Sequence, residues 1–207
     1  HPDVPLEDGA MSEPLACCIH GIDRAGIKVG DTVCVVGGGA IGLLLVQLAK
    51  LSGAAKVVLS EPNAIRREKA RQLGADRCID PLSENSLAEY LEFVGGEGAD
   101  VVIECAGNRA AVESAFRFVK RGATILLFSV PSVDATYALP LFDVYQKELT
   151  IRGTFVNPDT HQRAVELINS GRIQIAPILT HTFSLDELPE AIAMQTSPES
   201  IKVLVKA

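Results

Sequence analysis

Three glycines with a fixed spacing follow a short apolar run near the start of the chain. In the stretch DTVCVVGGGAIGLLLVQLAK, Gly37, Gly39 and Gly42 form a G-x-G-x-x-G pattern. Between a strand and a helix, this pattern lets the chain turn tightly, lets a pyrophosphate approach bare backbone, and lets the helix pack on the strand. The backbone N–H groups at the helix start, around Ala40 and Ile41, would then hold the phosphates. A plain tight turn is the alternative, because the pattern alone is a weak signal.

Charged residues after the next predicted strand concern the ribose of the same cofactor. Glu61 ends that strand, and its carboxylate could accept hydrogen bonds from both ribose hydroxyls of NAD and repel a 2′-phosphate. Arg66 and Arg67 follow in a helix, and an arginine near this loop can bind the 2′-phosphate of NADP. Solvated surface charge is the alternative for all three residues. We weight the acid more heavily and predict NAD as the cofactor.

The segments around these residues alternate between strand-like and helix-like patterns. Predicted strands cover 32–37, 56–61, 77–80, 99–107, 123–130 and 148–155, and predicted helices cover 40–51, 62–73, 87–94, 110–120 and 159–169. The strands are continuous apolar runs, which is typical of parallel strands buried on both faces. Right-handed crossovers then predict an α/β fold with a doubly wound, six-stranded parallel sheet in the order 3-2-1-4-5-6, the Rossmann fold.

The two ends of the chain do not fit that sheet. We therefore predict a dinucleotide-binding domain at 30–171, flanked by 1–29 and 172–207. The first segment contains the helix-like EPLACCIHGIDRAG, and the last contains LTHTFSL, the helix-like DELPEAIAMQ and the strand-like IKVLVKA. These ends resemble the edges of a second domain whose main body is absent from the sequence.

Composition excludes several classes of function. The net charge of −7 over 207 residues argues against a nucleic-acid surface, which needs clustered Lys and Arg. No stretch is apolar for long enough to span a bilayer, and the first residues lack the pattern of a secretory signal. The five cysteines lack the close pairs of a structural zinc site. We therefore expect free thiols and a cytoplasmic protein.

Six motifs, in order along the chain, resemble the zinc-dependent medium-chain alcohol and polyol dehydrogenases. They are EPLACCIHG, GDTVCVVGGGAIGLLLVQLAK, SEPNAIRREKARQLGA, DVVIECAGN, KELTIRGTF and THTFSLDELPEAIA. The sorbitol, butanediol and threonine dehydrogenases form the most similar branch. The resemblance implies hydride transfer between a secondary alcohol or polyol and NAD in an enzyme that also binds zinc. The family's catalytic domain, with its zinc-ligand cysteine and Gly-His-Glu motif, is missing. We therefore expect a truncated, cofactor-binding half that is inactive alone.

The resemblance also implies roles for individual residues. Glu13 of the EPL motif would lie beside the zinc, although it would need the missing ligands; an acid in the first turn of a helix is the alternative. The positions expected near the nicotinamide, ribose or pyrophosphate are Cys17, Cys105, Ala106, Gly107, Ser129, Val130, Thr154, Phe155 and Lys202. Ordinary packing or solvation is the alternative for each of them.

One pair of residues departs from the family pattern. An arginine and a tyrosine often follow G-x-F in polyol dehydrogenases, where they are positioned for substrate hydroxyls, but here Val156 and Asn157 follow it. This departure counts against sorbitol-like specificity. Family members also pair through the sixth strand, so we expect a homodimer. The remaining alternatives are a stand-alone nucleotide-binding module without catalysis and a zinc-free quinone reductase that uses NADPH. Glu13 and Glu61 argue against the reductase.

Overall fold

The computed structural model describes residues 4–206, so residues 1–3 and 207 of the predicted terminal segments lie outside the described part. The helices are α1 (Leu6–Gly9), α2 (Ser12–Ala25), α3 (Ala40–Leu51), α4 (Ala64–Gln72), α5 (Ser86–Val94), α6 (Arg109–Phe118), α7 (Leu141–Lys147), α8 (His161–Asn169) and α9 (Leu188–Gln195). The strands are β1 (Thr32–Val36), β2 (Lys56–Ser60), β3 (Arg77–Ile79), β4 (Ala99–Glu104), β5 (Val119–Leu127), β6 (Thr150–Gly153), β7 (Leu179–Ser184) and β8 (Lys202–Lys206).

The first six strands form one parallel sheet in the order β3-β2-β1-β4-β5-β6, which confirms the predicted α/β fold. At its centre, Val35 of β1 lies opposite Leu59 of β2 and Ile103 of β4. All three side chains are fully buried, as expected for parallel strands that are covered on both faces. The strand order reverses between β1 and β4, and a sheet of this kind opens a crevice there at the carboxyl ends of its strands.

Two apolar clusters cover the two faces of the sheet. Successive residues of β1 divide between them: Val35 joins one cluster and Cys34 joins the other, because side chains alternate along a strand. Leu43 of α3 lies in the first cluster, and Tyr90 of α5 lies in the second. The buried Tyr90 hydroxyl donates a 2.6 Å hydrogen bond to the carbonyl oxygen of Phe118, so this polar atom is satisfied inside the core.

Helix α2 is part of the body of the sheet domain. Its buried side chains, among them Leu15 and Ile19, belong to the same cluster as those of β1 and α3. The Thr160 hydroxyl, just before α8, donates a 2.7 Å hydrogen bond to the carbonyl oxygen of Ala16. The helix ends at Gly26, whose φ of 69° is the left-handed conformation that favours glycine. The division of the chain at residue 29 stays a prediction.

Several predicted boundaries differ from the structure; β4 and β5, for example, end earlier than predicted, at Glu104 and Leu127. β5 begins at Val119, where we predicted a helix continuing to 120, because the buried Val119 pairs with Ala99 of β4. α4 begins at Ala64 and not at Pro62, because the side chain of Asn63 accepts hydrogen bonds from the first N–H groups of the helix. β6 is shorter than predicted, covering only Thr150–Gly153.

Helix α7 was not predicted at all. It has only seven residues, which is too short a segment for a helical period to show, although it carries the apolar Leu141, Phe142 and Tyr145.

The last part of the chain forms a separate two-stranded parallel sheet of β7 and β8, with α9 between them in sequence. The segment that leads into it is anchored in the main core by Ile173, Ile175 and Ile178, all buried. Within residues 4–206, no helix has both the length and the apolar character needed to cross a membrane.

Candidate functional site

The turn between β1 and α3 requires glycine at two of its positions. The Gly37 N–H donates a 2.9 Å hydrogen bond to the carbonyl oxygen of Ser60, and its φ of 111° disfavours any side chain. A Cβ atom at Gly42 would lie 1.9 Å from the carbonyl oxygen of Gly37. The helix therefore starts directly against the turn, and only a residue without a side chain fits at position 42.

Gly39 has a different reason to lack a side chain. It is the N-cap residue of α3, in an extended conformation that any residue adopts, and a Cβ built on it would meet no atom within 4 Å. Protein packing therefore does not explain this glycine. The space in front of it lies at the N-terminus of an α-helix, where free N–H groups and the positive end of the helix dipole favour an anion.

The Glu61 side chain is hydrogen-bonded to this turn. Its side chain is only 5% exposed, and its Oε2 accepts a 2.6 Å hydrogen bond from the Gly38 N–H. The other oxygen, Oε1, accepts a 2.8 Å bond from the N–H of Asn63. A Cβ at Gly38 would lie 2.8 Å from Cγ of Glu61, so glycine at the unspecified second position of the motif makes room for the acid.

These residues line a crevice of about 500 Å³ at the carboxyl ends of the central strands. Of the predicted cofactor-binding residues, it brings together Gly37, Gly39, Glu61, Arg66, Cys105 and Ala106. Ala40 and Ile41 begin α3 directly behind Gly39. The crevice therefore joins the glycine turn, the acid after β2 and the end of β4, which lie far apart in the sequence.

A second carboxylate organises the other side of the crevice. Glu104, the last residue of β4, is fully buried, and its Oε1 accepts hydrogen bonds from the N–H groups of Ala106 (2.8 Å) and Gly107 (2.7 Å). Its Oε2 accepts a hydrogen bond from the Ser129 hydroxyl. Glu104 thereby fixes the segments after β4 and β5 by hydrogen bonds to three of the predicted cofactor-binding residues. We did not single it out from the sequence, where it stands inside an apolar strand.

Comparison with known proteins identifies the family. The sequence profile of the zinc-binding dehydrogenases matches residues 40–170, which is more than half of the chain. This chain belongs to the zinc-binding dehydrogenase family. Sorbitol dehydrogenase of Gallus gallus is 35% identical over 205 residues, which are 98% of this chain and 57% of that enzyme. (R,R)-butanediol dehydrogenase of Neisseria gonorrhoeae is 34% identical over 89% of this chain and 52% of that enzyme.

Solved structures of the family agree with the fold. A zinc-binding dehydrogenase of Sinorhizobium meliloti 1021, bound to NADP, has a TM-score of 0.90 and 39% identity, covering 99% of this chain and 61% of that one. The 2R,3R-butanediol dehydrogenase of Bacillus subtilis has a TM-score of 0.88 and 28% identity, covering 99% of this chain and 58% of that one. The family resemblance of the motifs is therefore confirmed. The chain spans just over half the length of these relatives.

The predicted zinc ligand of this dehydrogenase chain, Glu13, stands in the first turn of α2. Its Oε1 accepts hydrogen bonds from the Cys17 thiol (3.2 Å) and from the Asn157 side-chain amide (3.4 Å). Within the part of the chain that the structure describes, no group of three His, Cys, Asp or Glu side chains could hold a metal ion. These residues therefore do not form a zinc site by themselves, because catalytic zinc takes three protein ligands.

The loop that carries Asn157 is strained. Val156 has a φ of 50°, in the left-handed region that a β-branched residue rarely adopts. Thr160 anchors the far side of this loop to α2 through its hydrogen bond to the carbonyl oxygen of Ala16. The strained turn brings Asn157 within hydrogen-bond distance of Glu13. Strain of this kind persists only where the surrounding structure imposes it, and it occurs often at functional sites.

The remaining predicted residues lie outside the main crevice. Gly107 and Ser129 line a neighbouring cavity of about 520 Å³. Val130 and Phe155 are exposed, and the hydroxyl oxygen of Thr154 is buried without a hydrogen-bond partner. Lys202 begins β8, where its carbonyl oxygen accepts a 3.2 Å hydrogen bond from the Thr180 hydroxyl. Roles for these residues stay predictions.

None of the cysteines forms a disulfide. Burial raises the pKa of the Cys18, Cys34 and Cys105 thiols well above their ordinary value. Burial, and then the hydrogen bond to Glu13, raises the pKa of Cys17 to about 11. These four thiols are therefore protonated at neutral pH, which makes them poor nucleophiles.

Proposed function

We propose that this chain is the nicotinamide dinucleotide-binding part of a zinc-dependent alcohol or polyol dehydrogenase. The complete protein would transfer a hydride between a secondary alcohol or polyol and the nicotinamide ring. The 207-residue chain by itself would bind the dinucleotide and leave alcohols unreacted. Its named relatives act on sorbitol, D-arabinitol and (R,R)-butanediol, which supports this substrate class.

The observation that carries the proposal is the open space at Gly39. A residue type that protein packing does not require stands at the N-terminus of α3, opposite a crevice of dinucleotide dimensions. A pyrophosphate placed there would receive hydrogen bonds from N–H groups that have no partner within the helix. Any side chain at position 39 would project toward that pyrophosphate.

The chain's own residues would position the reacting ring and leave the chemistry to the bound groups. The glycine turn would hold the pyrophosphate, and Glu61 would lie beside the adenosine ribose. Glu104, through Gly107 and Ser129, would fix the backbone beyond β4 and β5, where the nicotinamide half would extend. Holding the ring in one orientation is the contribution to rate that a cofactor domain can make.

Two observations bear on which dinucleotide binds. Glu61 supports NAD, because a carboxylate beside the ribose would repel a 2′-phosphate. The S. meliloti relative, 39% identical, was solved bound to NADP. The proposal therefore covers both dinucleotides.

Calorimetric titration of the folded chain with NADH and NADPH tests the binding part of the proposal. We expect saturable, one-site binding of at least one of them, lost in Gly39→Val and retained in Gly122→Ala, a glycine that lies outside both cavities. Failure of both dinucleotides to bind a chain whose circular dichroism shows it to be folded would contradict the proposal.

The activity part needs a separate measurement. The chain, supplied with zinc, NAD or NADP and either sorbitol or butanediol, should produce no reduced cofactor above the rate without protein. Zinc-dependent reduction that follows the purified chain through two chromatographic steps would show that the described residues are sufficient for catalysis, against our proposal.

We also propose a homodimer through β6. This strand is the edge of the six-stranded sheet, and an unprotected edge favours pairing with another strand. Large apolar side chains of the neighbouring α7, namely Leu141, Phe142 and Tyr145, are exposed. Light scattering should give twice the mass of 22.0 kDa, and Ile151→Pro should give a monomer. A monomeric wild-type chain at high concentration would refute this arrangement.

A further inference from the structure

The neighbouring cavity of about 520 Å³ has no role in the proposed function. Its volume falls within the range of small-molecule sites in proteins. Val112 and Phe116 of α6, Leu127 of β5 and Ile151 of β6 form apolar walls, and all four belong to the second apolar cluster. Helix α3 packs in the first cluster, on the other face of the sheet. The cavity is therefore separate from the helix N-terminus at which the pyrophosphate would bind.

A long irregular loop forms one wall of this cavity. Residues 128–140 connect β5 to α7 without a helix or a strand, and loops of this length without regular structure are uncommon and often functional. The Tyr137 ring of the loop stacks on the Phe116 ring, with 5.8 Å between the ring centroids and 19° between their planes. This pair joins the loop to α6 and makes the wall of the cavity aromatic. The loop residues that line the cavity are Ser129, Pro131, Ala135, Thr136, Tyr137 and Leu139.

The polar end of the cavity favours an anion. Arg109 starts α6 and is exposed, and within residues 4–206 its side chain makes no hydrogen bond or ion pair, so its donors are available. Gly107 and Asn108 line the same end, where the first N–H groups of α6 add partial positive charge. Among the described residues that line the cavity, Glu104 is the only carboxylate, and it is fully buried and already accepts three hydrogen bonds.

We propose that the neighbouring cavity binds an aromatic carboxylate, with its ring between α6 and the loop 128–140 and its carboxylate on Arg109. A planar guanidinium group can hold a carboxylate through two parallel hydrogen bonds. Burial of the ring against Phe116 and Tyr137 supplies the apolar part of the affinity. The inference goes beyond the proposed function, because neither the dinucleotide nor an alcohol substrate needs this cavity.

The test uses two probes that differ only in charge. 1-Naphthylacetate carries the carboxylate, and 1-naphthylacetamide has the same ring system without it. The chain contains no tryptophan, so naphthalene fluorescence reports binding to the full chain against a low protein background. We expect saturable, one-site binding of the carboxylate that is about tenfold tighter than binding of the amide.

Three variants locate the probe. Arg109→Met should remove the preference for the carboxylate and leave the affinity for the amide nearly unchanged. Arg117→Met is the matched control and should keep the preference, because Arg117 lies in the last turn of the same helix but lines the crevice. Val112→Phe places a larger side chain in the cavity wall and should weaken both probes several-fold. Thermal melting of each variant separates loss of binding from loss of folding.

Four results would overturn the inference. The first two are equal affinity of the wild-type chain for both probes and equal losses in the Arg109 and Arg117 variants. The third is a probe Kd that rises without limit as NADH or NADPH is added, which would place the probe in the crevice. A bounded change is compatible with two separate sites, because Asn108 lines both cavities. The fourth is probe affinity that falls as light scattering shows the chain to dimerise, which would mean that a second copy fills the cavity.

The comparison of the two probes does not require a dinucleotide. Failure of NADH and NADPH to bind the folded chain would remove the proposed function and leave the Arg109 result to decide this inference. The two failures are therefore distinguishable.

Discussion

The Ser129 hydroxyl donates a 2.5 Å hydrogen bond to Oε2 of Glu104, which joins the loop after β5 to the last residue of β4. The same carboxylate accepts two backbone N–H groups through its other oxygen. Three donors share this fully buried carboxylate as their acceptor, so all three lose their partner if the acid is removed. The end of β4, at the crevice, and the loop after β5, at the neighbouring cavity, thus depend on one side chain.

Glu104→Ala should therefore destabilise the fold more than an ordinary surface substitution. We expect a loss of ~3 kcal/mol in the free energy of unfolding, since three hydrogen bonds to one buried carboxylate are lost together. Ser129→Ala removes one donor and should cost about 1 kcal/mol. Urea denaturation measures both, with Glu113→Gln on the exposed face of α6 as the control. A Glu104 variant as stable as the Glu113 variant would show that the network contributes nothing.

The glycines of the turn should separate folding from binding. Gly42→Ala places a methyl group 1.9 Å from the Gly37 carbonyl oxygen, so we expect a loss of stability of ~3 kcal/mol together with loss of dinucleotide binding. Gly39→Ala meets no protein atom and should change stability by only a few tenths of a kcal/mol. Its affinity for NADH and NADPH should nevertheless fall by roughly tenfold, or ~1.4 kcal/mol.

Urea denaturation and calorimetry on the two glycine variants provide the comparison. If Gly39→Ala bound dinucleotide as well as the wild-type chain, the open space at the start of α3 would not be where the pyrophosphate lies.

The thiol of Cys17 should react slowly at neutral pH. Its pKa is raised to about 11, first by burial and then by Glu13. Iodoacetamide modifies only the thiolate, so the rate should climb as the pH rises from 8 toward 11. Glu13→Gln removes the nearby negative charge and should increase the rate at pH 8.5 several-fold. Mass spectrometry resolves Cys17 from the fully buried Cys34, which serves as the unreactive reference.

The same thiols make stability depend on pH in the alkaline range. Below the ordinary cysteine pKa, near 9, the thiols are protonated in both the folded and the unfolded chain. The stability that the folded chain gains from keeping these buried thiols protonated is then fully present. Above it the unfolded chain ionises first, so stability falls as the pH rises from 9 to 11. Cys78, whose pKa burial raises to about 11, should give part of this loss. Cys78→Ala should flatten the dependence in urea titrations, and an unchanged slope would contradict the assignment.

The left-handed backbone at Val156 predicts a stabilising substitution. Val156→Gly relieves a conformation that a β-branched residue adopts at a cost of about 1–3 kcal/mol, partly offset by the greater freedom of glycine in the unfolded chain. We expect a net gain of ~1 kcal/mol in urea denaturation. Val156→Ala keeps the strain and is the control, with no gain expected. A less stable glycine variant would mean that the Val156 side chain contributes more than its backbone costs.

The local pattern of the sequence was enough to predict the parallel sheet and the glycine turn at the centre of the site. The apolar runs of β1, β2 and β4, the glycine spacing and the acid after β2 all follow from contacts between residues close in sequence, or from the need to bury both faces of a parallel sheet. These features predicted the strand order and the position of the crevice. The family resemblance of the motifs rests on the same segments.

Only the tertiary structure shows the contacts between residues that lie far apart in the sequence. Glu104 stands in an apolar strand, and only the fold shows that its oxygens meet the N–H groups of a loop and the hydroxyl of Ser129. Arg117 reaches the same crevice as Arg66 because α4 and α6 follow β2 and β4, the two strands on either side of β1, although the two residues are far apart in sequence. Charge and hydrogen bonding depend on distance in space, and the sequence alone fixes that distance only within a turn or two of one helix.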